Sequence, residues 1–585
     1  LYPRIAPAPL EPRAAIARFN ADGDRFHLWT TCQGVHWVRR VLSDALGIPP
    51  ERLRVETGDL GGGFGARIFA YPEYALVLWL ARRLGRPVRW TSSRTEAFHA
   101  DTQGRDHRFA AELALDAEGR FLALRIDDRT CLGAYLSQYA PYSQAGCGAP
   151  VQAGGYRIGA LHVRTRGYFT TMTPVDAFRG TGRPEATYVL ERLIDQAARE
   201  TGRDPAALRA INLRGRTTEP VTLVTGQAID GGQFLANQEI CLERADRAGF
   251  PARRKTSAEA GRLRGFGLAN YLEANGSLGI ARLTTGDAPQ EAASIRFDGC
   301  GGATIRVGTQ SSGQDHATPL RRIAAERLGL DPDAIRVEEG DSDALPLGGG
   351  TGGSRSTLAG LHALNEVLAL VEEHAGFRCA ALWGVAREEV GMEGGVLHAR
   401  RTNRSLAFAD LVHGAPGEFD LTAIARFERG SFANGCHACE VEVDPETGAV
   451  CVVAYTAVDD FGTVLDEAEV RGQVQGGVAH GLGTALMEDC AYDPASGRPL
   501  AFSFETYALP RAADVPAVAW VDNGLPSPWT PMGVKACGES AISAAPPAII
   551  NAVVDALDGL PAAAELQMPA TAWEVGRILR AKEER

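Results

Sequence analysis

No apolar run in these 585 residues approaches the ~20 needed to span a bilayer. No signal-peptide pattern opens the chain either. A soluble, cytoplasmic protein without a transmembrane segment is therefore expected. Basic charge is also short: the net charge is −12 and the pI about 5.6, which argues against a nucleic-acid backbone as partner. The eleven cysteines are odd in number and scattered, which suits reduced thiols better than a disulfide framework. None form the closely spaced set of an iron–sulfur cluster. Cys436-His437-Ala438-Cys439 has no second ligand pair of the kind a structural zinc uses. It reads as part of a strand leading into Glu440-Val441-Glu442-Val443-Asp444. A dinucleotide or Walker-type glycine loop is missing as well, because Gly61 to Gly65 has the wrong spacing for both.

What the chain has is glycine, 67 of them, on an otherwise ordinary background of 45% hydrophobic and 23% charged residues. The length exceeds what one core supports and implies several domains. Glycine recurs in a pattern. Leu46-Gly47, Pro50, Arg54-Val55-Glu56 and Gly58-Asp59 return as Leu328-Gly329, Pro332, Arg336-Val337-Glu338 and Gly340-Asp341, every pair 282 positions apart. Each copy reads as helix, strand and glycine-rich loop: Gly61 to Gly65 in the first, Gly348 to Ser354 in the second. A glutamine precedes each, Gln33 and Gln314. The period is too long for a solenoid. It predicts an old duplication, two related α/β halves able to close on one ligand between them. The expected division is 1–252 for the first lobe, a polar linker at 253–265, and 266–585 for the second.

Several loops could carry chemistry. Consecutive glycines at Gly61 to Gly65 expose N–H donors suited to an anionic or oxo-bearing ligand, with Phe64 pressed against it; a tight turn would look the same. Arg179, between Phe178 and Gly180, is either a surface charge or a guanidinium aimed at a phosphate or oxo group. Gln473 places an amide beside glycines, and Ser354-Arg355-Ser356-Thr357 is a helix start that could hold a phosphate. Gly533-Val534-Lys535-Ala536-Cys537-Gly538-Glu539-Ser540 is a glycine-lined turn carrying one carboxylate, followed by Pro546 and an apolar helical pattern from Ala548 to Leu557.

In order, the motifs Gly61-Gly-Gly-Phe-Gly65, Ala177-Phe-Arg-Gly180, Gly350-Thr-Gly-Gly-Ser-Arg-Ser356, Gly472-Gln473 and Gly533-Val-Lys-Ala-Cys-Gly-Glu539 complete a likeness. From Leu10 to its end the chain resembles the molybdopterin-binding large, catalytic subunit of the xanthine dehydrogenase, aldehyde oxidase and carbon monoxide dehydrogenase family. The resemblance implies a mixed α/β (α+β) fold of two related, elongated lobes clasping the cofactor at their interface. It implies a molybdenum–pterin cofactor, molybdopterin or its cytosine dinucleotide, with no side chain ligating the metal. By motif position Gln33, Phe64, Arg179 and Gly353 would surround the metal, Gln33 by hydrogen-bonding an oxo group. Gly63, Gly65, Gly180, Gly313, Gln314, Ser354, Gln473, Cys537 and Gly538 would complete the cofactor site, with Gln314, Gln473 and the Ser354 region on the pterin and its tail. Glu539 would be the base in a hydroxylation that takes its oxygen from water. The implied activity is oxidation of an aldehyde or an N-heteroaromatic carbon. The alternatives are a carbon monoxide dehydrogenase-like subunit and a non-catalytic pterin-binding relative. Electrons would leave through a 2Fe-2S small subunit and a FAD-containing medium subunit.

Departures from the family pattern bear on substrate. Ile68 stands where purine-oxidising members have a substrate-binding Glu, Cys147 where they have an Arg, and Thr181 where they have an aromatic clamp. Gly180-Thr181-Gly182 lacks the cysteine by which carbon monoxide oxidisers bind copper. The family's further N-terminal domain would precede Leu1, on the same polypeptide or on a separate chain.

Overall fold

The computed structural model of the chain describes residues 1–276, 279, 288–558 and 560–581. The repeat visible in sequence is a fragment of a longer one. Strands Ala14–Asn20, Arg25–Thr30, Leu53–Glu56 and Val88–Thr91 form a sheet in which only Arg25–Thr30 and Leu53–Glu56 run parallel. Strands Gln290–Phe297, Ala303–Val307, Ile335–Glu338 and Leu421–Arg426 form a second sheet with the same order and one parallel pair in the same place. A parallel pair needs a crossover, and each copy supplies a helix, Val35–Leu46 or Ala317–Leu328. Both helices end at a glycine in the left-handed conformation, Gly47 (φ 63°) and Gly329 (φ 64°), which a side chain would strain.

A second pair of sheets repeats too. Tyr2–Ile5, Gly104–Leu115, Phe121–Gly133 and Ala160–Phe169 pair antiparallel, antiparallel, parallel. Leu263–Ala274, Phe432–Val443, Val450–Asp460 and Val518–Asp522 do the same. The chain is thus mixed α/β with two related lobes. Residues 253–265, read as a linker from their polar composition, hold most of the helix Phe250–Glu259 and the start of the strand Leu263–Ala274. The polarity belongs to a largely exposed helix face whose Arg253 reaches back to Glu440 at 2.6 Å.

The lobes join along edge strands. Thr57 N–H donates to Gly340 O (2.8 Å) and Ser342 N–H to Val55 O (3.0 Å), while Arg54 forks onto the Asp341 carboxylate. They join again through the helices Arg183–Thr201 and Ala541–Ala556, where Arg192 donates to Asn551 Oδ1 at 2.7 Å. The second helix lies directly on a strand backbone: a Cβ on Gly265 or Gly267 would fall 1.9 Å from Ala552 O or 2.0 Å from Ala548 O. That helix starts at Ala541, not after Pro546 as its pattern suggested, and carries Pro546 and Pro547 inside it. An internal proline costs about 3 kcal/mol. Nearly complete burial offsets it, with Gly477 and Gly481 of the helix Glu467–Leu486 admitting Ala541 and Ala545 at close range.

Candidate active site

Between the lobes lies a cavity of about 1220 Å³. Every expected site residue lines it except Gly63 and Gly180, which lie just behind its wall. Gly63 packs on Gln33, where a Cβ would come within 2.7 Å of the side-chain oxygen. Gly180 turns its N–H onto Glu539 Oε1 at 2.7 Å.

Glu539 is held from three sides. Besides Gly180, the Arg183 guanidinium and the Ser354 hydroxyl each reach Oε2 at 2.8 Å. The side chain keeps 15% of its exposure, all that an occupant of the cavity needs to reach it. Burial by itself would raise its pKa. Arg183, the Gly180 N–H and Ser354 outweigh that and hold it below the ordinary glutamate value, so it stands ionised. The loop carrying it is anchored by buried polar contacts. Lys535 Nζ pairs with Asp460 at 2.8 Å with both side chains fully buried, and Asn275 Nδ2 donates to Ala536 O at 2.8 Å.

The first lobe supplies the opposite wall. Gln33 Oε1 accepts from Gly65 N–H (2.9 Å) and Arg67 N–H (3.3 Å), and its amide nitrogen donates across the lobes to Thr351 O (2.9 Å). Gly65 is obligatory, since a Cβ would lie 2.4 Å from Ala177 O. Arg179 is no surface charge. It is buried, with Nε donating to Gly538 O (2.7 Å) and Nη2 to Gln473 O (2.9 Å). Phe64 (φ 55°), Thr181 (φ 26°), Asp315 (φ 48°) and Ser354 (φ 52°), all on the cavity wall, hold left-handed backbone that glycine would adopt at less cost.

On the second lobe Gln473 lies on the helix Glu467–Leu486, two turns from its N-terminus. Gly538 faces open space between Gln473 Oε1 and Ser354 Oγ, each 3.9 Å from where its Cβ would be. Cys537 lines the same wall, and burial pushes its thiol up to about 12. Gly353 (φ 62°) and Gly313 (φ 106°) bound the cavity further along. Gln314 Oε1 accepts from Ser312 N–H at 2.6 Å. The structural counterpart of Gln33 is Gln310, not Gln314. Both Gln33 and Gln310 stand three residues past their strand, and both donate to the opposite lobe, Gln310 to Gly58 O at 3.3 Å. The strand-to-helix loop is longer in the second copy, and that shifted the sequence register. Arg355 next to Ser354 is committed to Glu291 (2.7 Å) and Gly350 O (2.6 Å), so it offers no free charge to a phosphate.

Two residues escaped the sequence. Arg183 opens the helix Arg183–Thr201, and Glu273 sits fully buried on the strand Leu263–Ala274, bonded to Ser354 and Ser540. The only trace of Glu273 is an acid inside an apolar run, Leu272-Glu273-Ala274. Ile68, Cys147 and Thr181, the three departures, all line the cavity, with Tyr142 beside Cys147.

Among the described residues no group of three His, Cys, Asp or Glu side chains could hold a metal ion. His437 is occupied by Tyr455 (2.9 Å) and Asp459 (3.1 Å), flanked by buried Cys436 and Cys439. The polar groups the expected site residues turn to the cavity, apart from the Glu539 carboxylate and the Cys537 thiol, are amide, hydroxyl, guanidinium and backbone N–H. Such donors fit a metal carried in an organic ligand and gripped through that ligand; they do not fit a metal ligated by side chains.

Comparison with known proteins agrees. The molybdopterin cofactor-binding domain family matches residues 1–213 and again 241–516. The nicotine 6-hydroxylase large subunit of Paenarthrobacter nicotinovorans is 32% identical, over 99% of this chain and 72% of that protein. The carbon monoxide dehydrogenase large chain of Hydrogenophaga pseudoflava is 30% identical, over 99% and 74%. The crystal structure of quinoline 2-oxidoreductase from Pseudomonas putida 86 superposes with a TM-score of 0.92 at 31% identity, over 99% of this chain and 75% of that one.

Proposed function

We propose, for a chain that belongs to the molybdopterin cofactor-binding family of molybdenum hydroxylase large subunits, that Glu539 is the base of its reaction and an N-heteroaromatic ring its substrate. The chain is the large subunit of a molybdenum-dependent oxidoreductase. Its cofactor, when bound, supplies the two-electron oxidation and activates the water from which the product oxygen comes. Gln33, Phe64, Arg179 and Gly353 would enclose the metal end of that group, and Gln314, Gln473 and Ser354 the pterin and its tail.

The observation that carries the reading is the Glu539 carboxylate. It is ionised, lines the cavity, and is held in place by Arg183, Gly180 and Ser354. Tyr142 and Cys147 lie within the electrostatic reach of Arg183 next to that carboxylate. With Ile68, Pro150 and Thr181 they give the cavity wall uncharged side chains that suit a flat ring. Two relatives, the nicotine hydroxylase and the quinoline oxidoreductase, are named for such rings. The loop Gly180-Thr181-Gly182 has no cysteine to hold copper. That disfavours carbon monoxide as substrate. Electrons would pass to partner chains carrying a 2Fe-2S cluster and FAD.

The test is a panel of nicotine- and quinoline-type heterocycles, aldehydes and carbon monoxide, offered to the purified complex with a dye acceptor and assayed alongside its molybdenum and pterin content. Heterocycles should turn over fastest. Preferential oxidation of carbon monoxide, or of aldehydes, would reverse the substrate assignment, and a complex purified without molybdenum would remove the enzymatic one.

A further inference from the structure

Behind Glu539 stands a second carboxylate. Ser354 Oγ lies 2.6 Å from Glu273 Oε1 and 2.8 Å from Glu539 Oε2, and the Ser540 hydroxyl donates to the other oxygen of Glu273. A serine hydroxyl owns one hydrogen. If both carboxylates were ionised, Ser354 would satisfy one of them and face the other, oxygen to oxygen, with no proton between. The arrangement closes once Glu273 carries a proton: Glu273 O–H donates to Ser354 Oγ, and Ser354 O–H donates to Glu539. We propose that Glu273, as a neutral carboxylic acid, is a positioning residue that orients the Ser354 hydroxyl onto the Glu539 base. This rests on Glu539 being that base.

Three further observations agree. Ser354 keeps its hydroxyl in left-handed backbone beside a glycine in the same region, Gly353, at a conformational cost that a second glycine would remove. Burial is the dominant influence on Glu273, against the pull of Arg183, and pushes it up to about 7, while Glu539 moves the other way. The groups facing Glu273 are otherwise settled. Arg183 and Arg179 are committed to Glu539, Gly538 and Gln473, Cys537 is a protonated thiol, and Tyr271 on the same strand donates to Asp459, which also holds His437.

As pH rises through the Glu273 titration, a second anion appears next to the base and the Ser354 hydrogen turns away from it. Wild-type kcat/KM should then fall roughly tenfold or more between pH 6 and 8.5, the worth of one hydrogen bond to a charged group. Glu273→Gln, neutral at every pH with an amide that can donate to Ser354, should flatten that profile. Ser354→Gly, which relieves the backbone, should abolish the inflection and lower the rate. Infrared difference spectra over the same pH range give a readout independent of turnover: a protonated-carboxyl band that bleaches with the wild-type inflection and is missing in Glu273→Gln. Matching pH profiles in wild type and Glu273→Gln, or no such band, would overturn the proposal. Glu539→Gln separates the two readings. If it is inactive while the band is missing, only the Glu273 role fails. If it turns over normally while the band titrates, the base assignment fails and the positioning role goes with it.

Discussion

In the first lobe the loop ahead of the helix Arg183–Thr201 brings Arg179, the Gly180 N–H and Arg183 to the interface; in the second, the loop ahead of Ala541–Ala556 brings Gly538 O, Glu539 and Ser540. The two helices follow the fourth strand of equivalent sheets and pack side by side, with both N-terminal ends at the interface. Both ends concentrate unpaired N–H groups and positive dipole. Two such ends side by side repel unless an anion lies between them, and the only side-chain carboxylate these loops place there is Glu539. Duplication built the electropositive socket, and divergence put the cation on one copy and the carboxylate on the other. That division explains how a carboxylate in so dry a place stays ionised.

The comparison breaks first at Glu539. Glu539→Gln should retain bound molybdenum yet lose turnover by about 10²–10⁴, the usual worth of a positioned base. Near-normal turnover would mean that the second-lobe loop has no special role. Arg183 comes next. Replacing it by Leu leaves Glu539 buried without its main countercharge, which should cost about 3–5 kcal/mol of stability at pH 7. The sign with pH follows from the depressed Glu539 pKa. In the wild type this carboxylate stabilises the fold above the ordinary glutamate value of 4.5 and loses that contribution as pH falls through its lower folded value. In Arg183→Leu burial dominates, so the acid limb of kcat/KM should move to higher pH, and Arg183→Lys should bring part of it back. An unmoved acid limb with full stability would show the ion pair to be incidental.

The duplication was legible in one short stretch, residues 46–59 against 328–341. Gly47 and Gly329 end their helices there in the same left-handed conformation, and Arg54 and Asp341 tie the two copies together. Such positions keep their residue after the core around them has changed. The paired sheets were invisible because buried strand positions tolerate any apolar side chain of suitable volume; Phe26 opens the parallel ladder of one copy, Ala303 that of the other. Arg183 and Glu273 were silent for another reason. A basic residue at a helix start and an acid in a strand look like solvent-facing residues, and the Arg183 partner is 356 positions away. Gln314 was read as the match to Gln33 because a longer loop displaced the true counterpart, Gln310. Pro546 was read as a helix boundary because its cost is local, whereas the packing that offsets it comes from Gly477, Gly481, Gly265 and Gly267 elsewhere in the chain.

A second tie between the lobes sharpens the contrast, with the smallest expected effect. Just past the strand Tyr2–Ile5, Ala6 N–H donates to the Tyr507 hydroxyl (3.0 Å) and Tyr507 donates to Glu488 (2.5 Å), while Cys490 N–H donates to Arg4 O on that strand (2.8 Å). Among the described residues no guanidinium or ammonium group is bonded to Glu488. Burial pushes its pKa from 4.5 up to about 8, against the weaker pulls of Tyr507 and Arg105. The sign is opposite to that at Glu539. Between pH 4.5 and about 8 the folded chain holds a proton that the unfolded chain has released, so this group's contribution is complete below pH 4.5 and is lost as pH rises toward 8. The loss can reach about 1.4 kcal/mol per pH unit. Glu488→Gln keeps an acceptor for Tyr507 and titrates nothing, so its melting temperature should fall less steeply than the wild type's between pH 5.5 and 7.5. Parallel melting curves for the two would mean that this acid is ionised in the folded chain, and the contrast between a charged and a neutral junction of the lobes would be gone.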